Sequence, residues 1–116
     1  MNSIRYEALT ASYLGRYDYS NELIKSANEK LPKIKEDGRS LEKAYLDYVR
    51  GINMYHLKNN NKSIEVLKGT LEEIKNNEDY ANEHFVYYYL GLNYHVLGQK
   101  EEAIGYFNRI DKVFKT

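Results

Sequence analysis

Two stretches of this chain, forty residues apart, carry similar residues in the same order. LGLNYHVLGQKEEAIGYF, residues 90–107, aligns with RGINMYHLKNNNKSIEVL, residues 50–67. Gly91 falls on Gly51, Asn93 on Asn53, Leu97 on Leu57, Ile104 on Ile64 and Phe107 on Leu67. The N-terminal segment follows at an offset of 43, with Leu14-Gly15 on Leu57-Lys58 and Ser20 on Ser63. Self-similarity at such a period restricts a chain to similar units that bury their apolar faces only by stacking. Strand-like alternation is sustained nowhere, while apolar residues recur at helical spacing throughout, so the units are helical hairpins.

Short polar breaks divide the chain. They fall at Gly15-Arg16, Lys35–Gly38, Lys58–Asn61, Lys75–Glu78 and Gly98-Gln99, and five breaks give six helices. These are predicted at 2–14, 17–35, 40–57, 61–75, 79–97 and 100–114, and Pro32 is a point where the second can stop short. Ser40 and Asp79 are predicted N-caps, because a short side-chain oxygen satisfies free first-turn amides. Gly38 and Gly98 are placed at helix ends, where a left-handed residue is needed.

The segment YYYLGLNYHVLG, residues 87–98, is apolar or aromatic at nearly every position. At 100° per residue, Tyr87, Leu90, Gly91, Tyr94 and Leu97 form one stripe, and Phe85, Tyr88, Leu92, His95 and Val96 a second, roughly opposite. A helix with two such stripes packs on partners with one and faces a groove with the other. Gly91 allows a close backbone approach, at a helix-propensity cost of about 1 kcal/mol.

Composition removes several classes of function. With 17 basic and 17 acidic residues the chain has no net field to attract nucleic acid or an anionic membrane. The absence of cysteine excludes disulfides and thiolate chemistry, and the cytoplasm is the expected compartment. No apolar run reaches the length of a membrane span. His56, His84 and His95 lack metal-ligand spacing, no phosphate loop or nucleophile elbow occurs, and no carboxylate pair sits among apolar residues. No catalytic residue, metal or cofactor is therefore expected, and the chain reads as a non-enzyme.

The third unit runs Tyr87-x-x-Leu90-Gly91-x-x-Tyr94, then Gly98, then Ala103-x-x-x-Phe107. This order resembles a tetratricopeptide repeat. The first unit carries Ala8, Ala11, Leu14-Gly15, Ser20, Ala27 and Pro32 at similar positions, and the second carries Gly51, Ser63 and Leu67, with Arg50 where leucine is usual. The resemblance implies an all-α fold, a right-handed superhelical solenoid of three antiparallel helix pairs, with repeats at about 1–38, 39–77 and 78–116. Offsets of 40 and 43 exceed the usual 34, and resemble the longer repeats of peptide-pheromone receptors and Rap-type regulators of Gram-positive bacteria.

By that family's geometry a concave groove is lined by Tyr6 and Tyr13, then Tyr45, Tyr48, Ile52 and Tyr55, then Phe85, Tyr88, Leu92 and His95. The resemblance implies a polypeptide or short peptide partner in that groove, and the tyrosines supply rigid area with polar tips. The alternative is that they pack between helices. Asn53 and Asn93 recur one repeat apart. In the receptors that the chain resembles, such asparagines hold a peptide backbone; the alternative is a hydrogen bond to a neighbouring helix. The last helix carries Ile104, Phe107, Ile110, Val113 and Phe114, more apolar surface than one face consumes. That predicts a fragment of a longer array or a homo-oligomer, and makes a structural stacking module the competing function.

Overall fold

The computed structural model describes the backbone at residues 2–33 and 36–114 and the side chains at 4–32 and 42–112. Six helices follow in order: α1 Asn2–Tyr13, α2 Tyr17–Lys30, α3 Glu36–His56, α4 Asn60–Asn77, α5 Glu83–Val96 and α6 Lys100–Phe114. No strand occurs among the described residues. Each helix packs on the next, and α1 also meets α3, as α3 meets α5. The odd-numbered helices thus lie side by side. The described helices form an all-α arrangement compatible with a helical repeat, and none is long and apolar enough to cross a membrane.

The three hairpin turns are built alike. Gly15, Lys58 and Gly98 hold positive φ angles of 79°, 67° and 77°. In each turn the amide one residue later reaches back five residues: Arg16 N to Ala11 O, Asn59 N to Met54 O, and Gln99 N to Tyr94 O, at 2.8, 2.8 and 2.9 Å. This six-residue closure satisfies carbonyls that a helix end leaves free and reverses the chain within three residues. Glycine adopts the left-handed conformation without cost in two turns; Lys58 does so at a cost of about 1 kcal/mol.

Small residues let the helices of a pair approach. A Cβ added to Gly51 would lie 2.6 Å from Leu67 Cδ2, and one added to Gly91 would lie 2.3 Å from Phe107 Cε1. Ala8 stands at the corresponding place in α1, fully buried. The core runs the length of the stack through Ile24, Leu46, Val49, Ile52, Leu67, Val86 and Leu90.

Three predicted boundaries move. Helix α2 stops at Lys30 and passes into a 3-10 turn, Leu31–Lys33, that contains Pro32. Proline has no amide to continue the ladder, and its ring excludes the preceding turn. Helix α3 starts at Glu36 rather than Ser40, so Gly38 lies inside it instead of at a helix end. Helix α5 starts at Glu83, preceded by Asn82, so Asp79 is not its N-cap.

Candidate functional site

Tyrosine distribution defines the faces. On α5, Val86, Leu90, Gly91, Asn93 and Tyr94 are buried, whereas Phe85, Tyr88, His95 and Val96 are exposed. Of the first expected stripe, Leu90, Gly91 and Tyr94 are buried but Tyr87 is half-buried and Leu97 exposed; of the second, all but the half-buried Leu92 are exposed. Tyr87, Tyr94 and Tyr106 gather between α5 and α6 instead, with Tyr94 and Tyr106 stacked at 5.7 Å and the Arg109 guanidinium 4.6 Å over Tyr106.

A row of aromatic contacts runs from the exposed face of α5 across the odd-numbered helices. Tyr6 of α1 meets Tyr45 of α3 edge-on at 6.4 Å, Tyr45 meets Tyr48 at 6.0 Å, and Tyr48 meets Phe85 of α5 at 6.5 Å. The two edge-on pairs, Tyr6–Tyr45 and Tyr45–Tyr48, add about 0.5–1.5 kcal/mol each beyond their area. Further along, Tyr13, His84, Phe85, Tyr88, Tyr89 and Ile110 line a recess of about 390 Å³. It draws on α1, α5 and α6. Tyr88 is 45% exposed and Phe85 40%, so they can be covered by something else.

The expected site residues separate into three groups. Tyr6, Tyr13, Phe85 and Tyr88 are open on this face. Tyr45 and Tyr55 are half-buried, with Tyr55 edge-on to Tyr89 at 5.8 Å, and His95 is exposed two turns beyond Tyr88. Tyr48, Ile52, Asn53 and Asn93 are buried. Burial raises the Tyr48 pKa, with Tyr13 adding to the shift, and pushes Tyr89 up to about 12. Tyr48 and Tyr89 therefore stay neutral, each with a hydroxyl that can donate and accept.

Asn53 and Asn93 require a correction. Neither has any exposed surface, so neither can hold a peptide backbone in the groove. Asn53 Nδ2 donates to Ser20 Oγ and Asn21 Oδ1, both at 2.9 Å. Asn93 Nδ2 donates to Ser63 Oγ and to Tyr89 O, also at 2.9 Å, while its Oδ1 accepts from Asn60 Nδ2 at 3.0 Å. The serines in turn donate to Ala8 O and Gly51 O at 2.7 Å. Each asparagine thus ties its own odd-numbered helix to the hairpin before it. Ile52 is likewise core rather than groove. Tyr48 is 3% exposed and serves as the floor beneath Phe85.

Tyr89, His84 and Ile110 line the recess without having been expected there. Tyr89 falls between the two α5 stripes, so its angular position alone assigned it to neither. Sequence also left unseen a shallow outer groove of about 650 Å³ between α2 and α3, floored by Ile24 and Met54. On its α3 side Asp47 takes Lys43 at 2.7 Å and Arg50 at 3.3 Å.

At the hairpin ends, His56 stacks on Tyr17 at 4.9 Å and 10° and lies edge-on to Tyr55 and Tyr89. Desolvation lowers its pKa from the ordinary 6.5. The folded chain then takes up this proton less readily than the unfolded one. The stabilisation is present above the unfolded pKa and is lost as pH falls through the depressed folded value. Melting temperature is expected to drop between about pH 7 and pH 5, and His56→Phe, which keeps the stacked ring without the titration, to flatten that drop. An equal drop in the variant would assign it to another group.

Comparison of the chain with protein-family models, with curated proteins and with solved structures finds no match.

Proposed function

We propose that this chain is a short tetratricopeptide-like array, a right-handed superhelical stack of three helix pairs, that captures a polypeptide segment on the concave aromatic face of α1, α3 and α5. One observation carries the reading: the recess of about 390 Å³ whose walls include the open rings of Tyr13, Phe85 and Tyr88. Rings of this kind offer contact area with little side-chain entropy to lose, and their hydroxyls can bond a peptide backbone. Equal numbers of acidic and basic residues disfavour a nucleic acid as occupant.

Selection of a random peptide library displayed on phage, against the intact chain, tests it. Enriched peptides are expected to lose about 1–2 kcal/mol of affinity, roughly 5- to 30-fold, on Tyr13→Ala and on Tyr88→Ala. Both residues are exposed; Tyr13 also bonds the Tyr48 phenol, so a melting curve of each variant accompanies the affinity measurement. Peptides insensitive to both variants and sensitive to Lys25→Ala or Lys43→Ala would move the site to the outer groove. Absence of enrichment, together with self-association by light scattering, would favour the second reading, a stacking module. That reading draws on Ile104, which is 57% exposed on α6; Val113 and Phe114, expected to join it, lie outside the described side chains.

A further inference from the structure

Aromatic rings make up nearly all of the recess between α1, α5 and α6: Tyr13, His84, Phe85, Tyr88 and Tyr89 line it, together with Ile110. Tyr88 and Tyr89 stand 5.4 Å apart at 78°, so they form adjacent walls near a right angle. Among the described residues, no Lys, Arg, Asp or Glu lines this space. Burial, then the phenols of Tyr13 and Tyr88, push the Tyr89 pKa up to about 12, so the three hydroxyls lie near one another.

Elsewhere the chain covers its tyrosines with cations of its own. The Arg5 guanidinium lies over Tyr45 and Tyr6, 4.6 and 5.1 Å from their centroids, Arg16 over Tyr19 at 4.8 Å, and Arg109 over Tyr106 at 4.6 Å. Lys68 lies over Tyr94 at 5.6 Å. Among the described residues no such cation lies over Tyr13, Phe85, Tyr88 or Tyr89. The faces of these rings carry partial negative charge and attract a cation from outside. Other occupants fit less well. A carboxylate or phosphate would meet that negative charge with no positive side chain in the lining. An aliphatic side chain would cover the hydroxyls and give them no partner. An ordinary ammonium would shed a tight hydration shell and find no carboxylate in return. A guanidinium is weakly hydrated, stacks on rings and brings five N–H donors for phenol oxygens.

We infer that the recess is a subsite for an arginine side chain of the partner, whose guanidinium packs on Tyr88 and Tyr89 and donates to the phenol oxygens. That a polypeptide carries this arginine rests on the proposed function; the preference of the recess for a guanidinium does not.

The test titrates the whole chain with single amino acids blocked as N-acetyl methylamides, and follows the backbone amides of Phe85, Tyr88 and Tyr89 by ¹⁵N-resolved NMR. Arginine is compared with citrulline, its uncharged isostere, and with leucine, lysine and trimethyllysine. Arginine is expected to saturate these shifts at a concentration roughly 2- to 30-fold below citrulline and leucine, the range that cation–π contacts span between exposed and desolvated sites. Tyr88→Leu keeps apolar bulk and loses the ring, and is expected to abolish that advantage; Tyr88→Phe is expected to retain most of it. Melting curves of both variants accompany the titrations. Equal concentrations for arginine and citrulline would overturn the subsite. So would a lower concentration for leucine, lysine or trimethyllysine, a linear drift with every compound, or an undiminished arginine advantage in Tyr88→Leu. An arginine advantage without any peptide enriched on the aromatic face would remove the groove reading alone. Enriched peptides that depend on Tyr13 and Tyr88 but share no arginine would remove the arginine alone.

Discussion

Asn93→Ala is expected to destabilise the fold by about 3 kcal/mol, measured by denaturant unfolding. The substitution opens a void in the core and leaves the carbonyl of Tyr89 and the hydroxyl of Ser63 with one bond fewer. Losses of about 1–3 kcal/mol are usual for each buried group left unsatisfied, and the void adds to them. For a domain whose total stability is of order 5–15 kcal/mol, this is a large share. Asn53→Ala is expected to cost about 1 kcal/mol less, because Asn53 Oδ1 is already buried without a partner and its removal relieves a standing penalty. In unfolding cycles, Ser63→Ala combined with Asn93→Ala should show a coupling of about 0.5–3 kcal/mol, as groups in one hydrogen-bond network do. Equal costs for the two asparagines and no coupling would refute the view that they tie hairpins together.

Glycine substitutions should divide by location. Gly51→Ala drives a Cβ to within 2.7 Å of two Leu67 side-chain carbons, and Leu67 has no exposed surface into which to retreat. The expected loss is about 1–3 kcal/mol, despite the better helix propensity of alanine. Gly91→Ala meets the Phe107 ring, which is only half-buried and can turn aside, so a smaller loss is expected. Gly69→Ala and Gly105→Ala meet nothing within 4 Å and should gain about 0.5–1 kcal/mol. Thermal melts of the four variants give the order, and a gain at Gly51 equal to that at Gly69 would mean that α3 and α4 do not approach as described.

Both experiments address features legible to different degrees in the amino-acid order. The pairing of Gly51 with Leu67 and of Gly91 with Phe107 recurs at the offset of 40 that aligns the two segments. The turns at Gly15, Lys58 and Gly98 also fall where the alignment puts them. These features are local, or repeat a local feature. Helical spacing sets the angle of each side chain about its own axis, and a left-handed residue marks the reversal.

What lay beyond this reading depends on which faces meet. Asn93 and Tyr88 sit five residues apart on one helix, and both are polar-tipped residues with groove and packing roles open to them. One became a buried tie and the other a half-open ring because α4 brings Ser63 and Asn60 against Asn93, whereas Tyr88 stays 45% exposed among the described residues. Tyr89 and Ile110 entered the recess through the crossing of α5 and α6, and Arg5 met Glu42 across 37 residues of sequence. The start of α3 likewise moved ahead of its glycine: a helix of 21 residues absorbs a local penalty of about 1 kcal/mol. Periodicity assigns each residue a direction; the partner found in that direction is set by helix crossings between segments 30 or more residues apart, where local preferences carry no information.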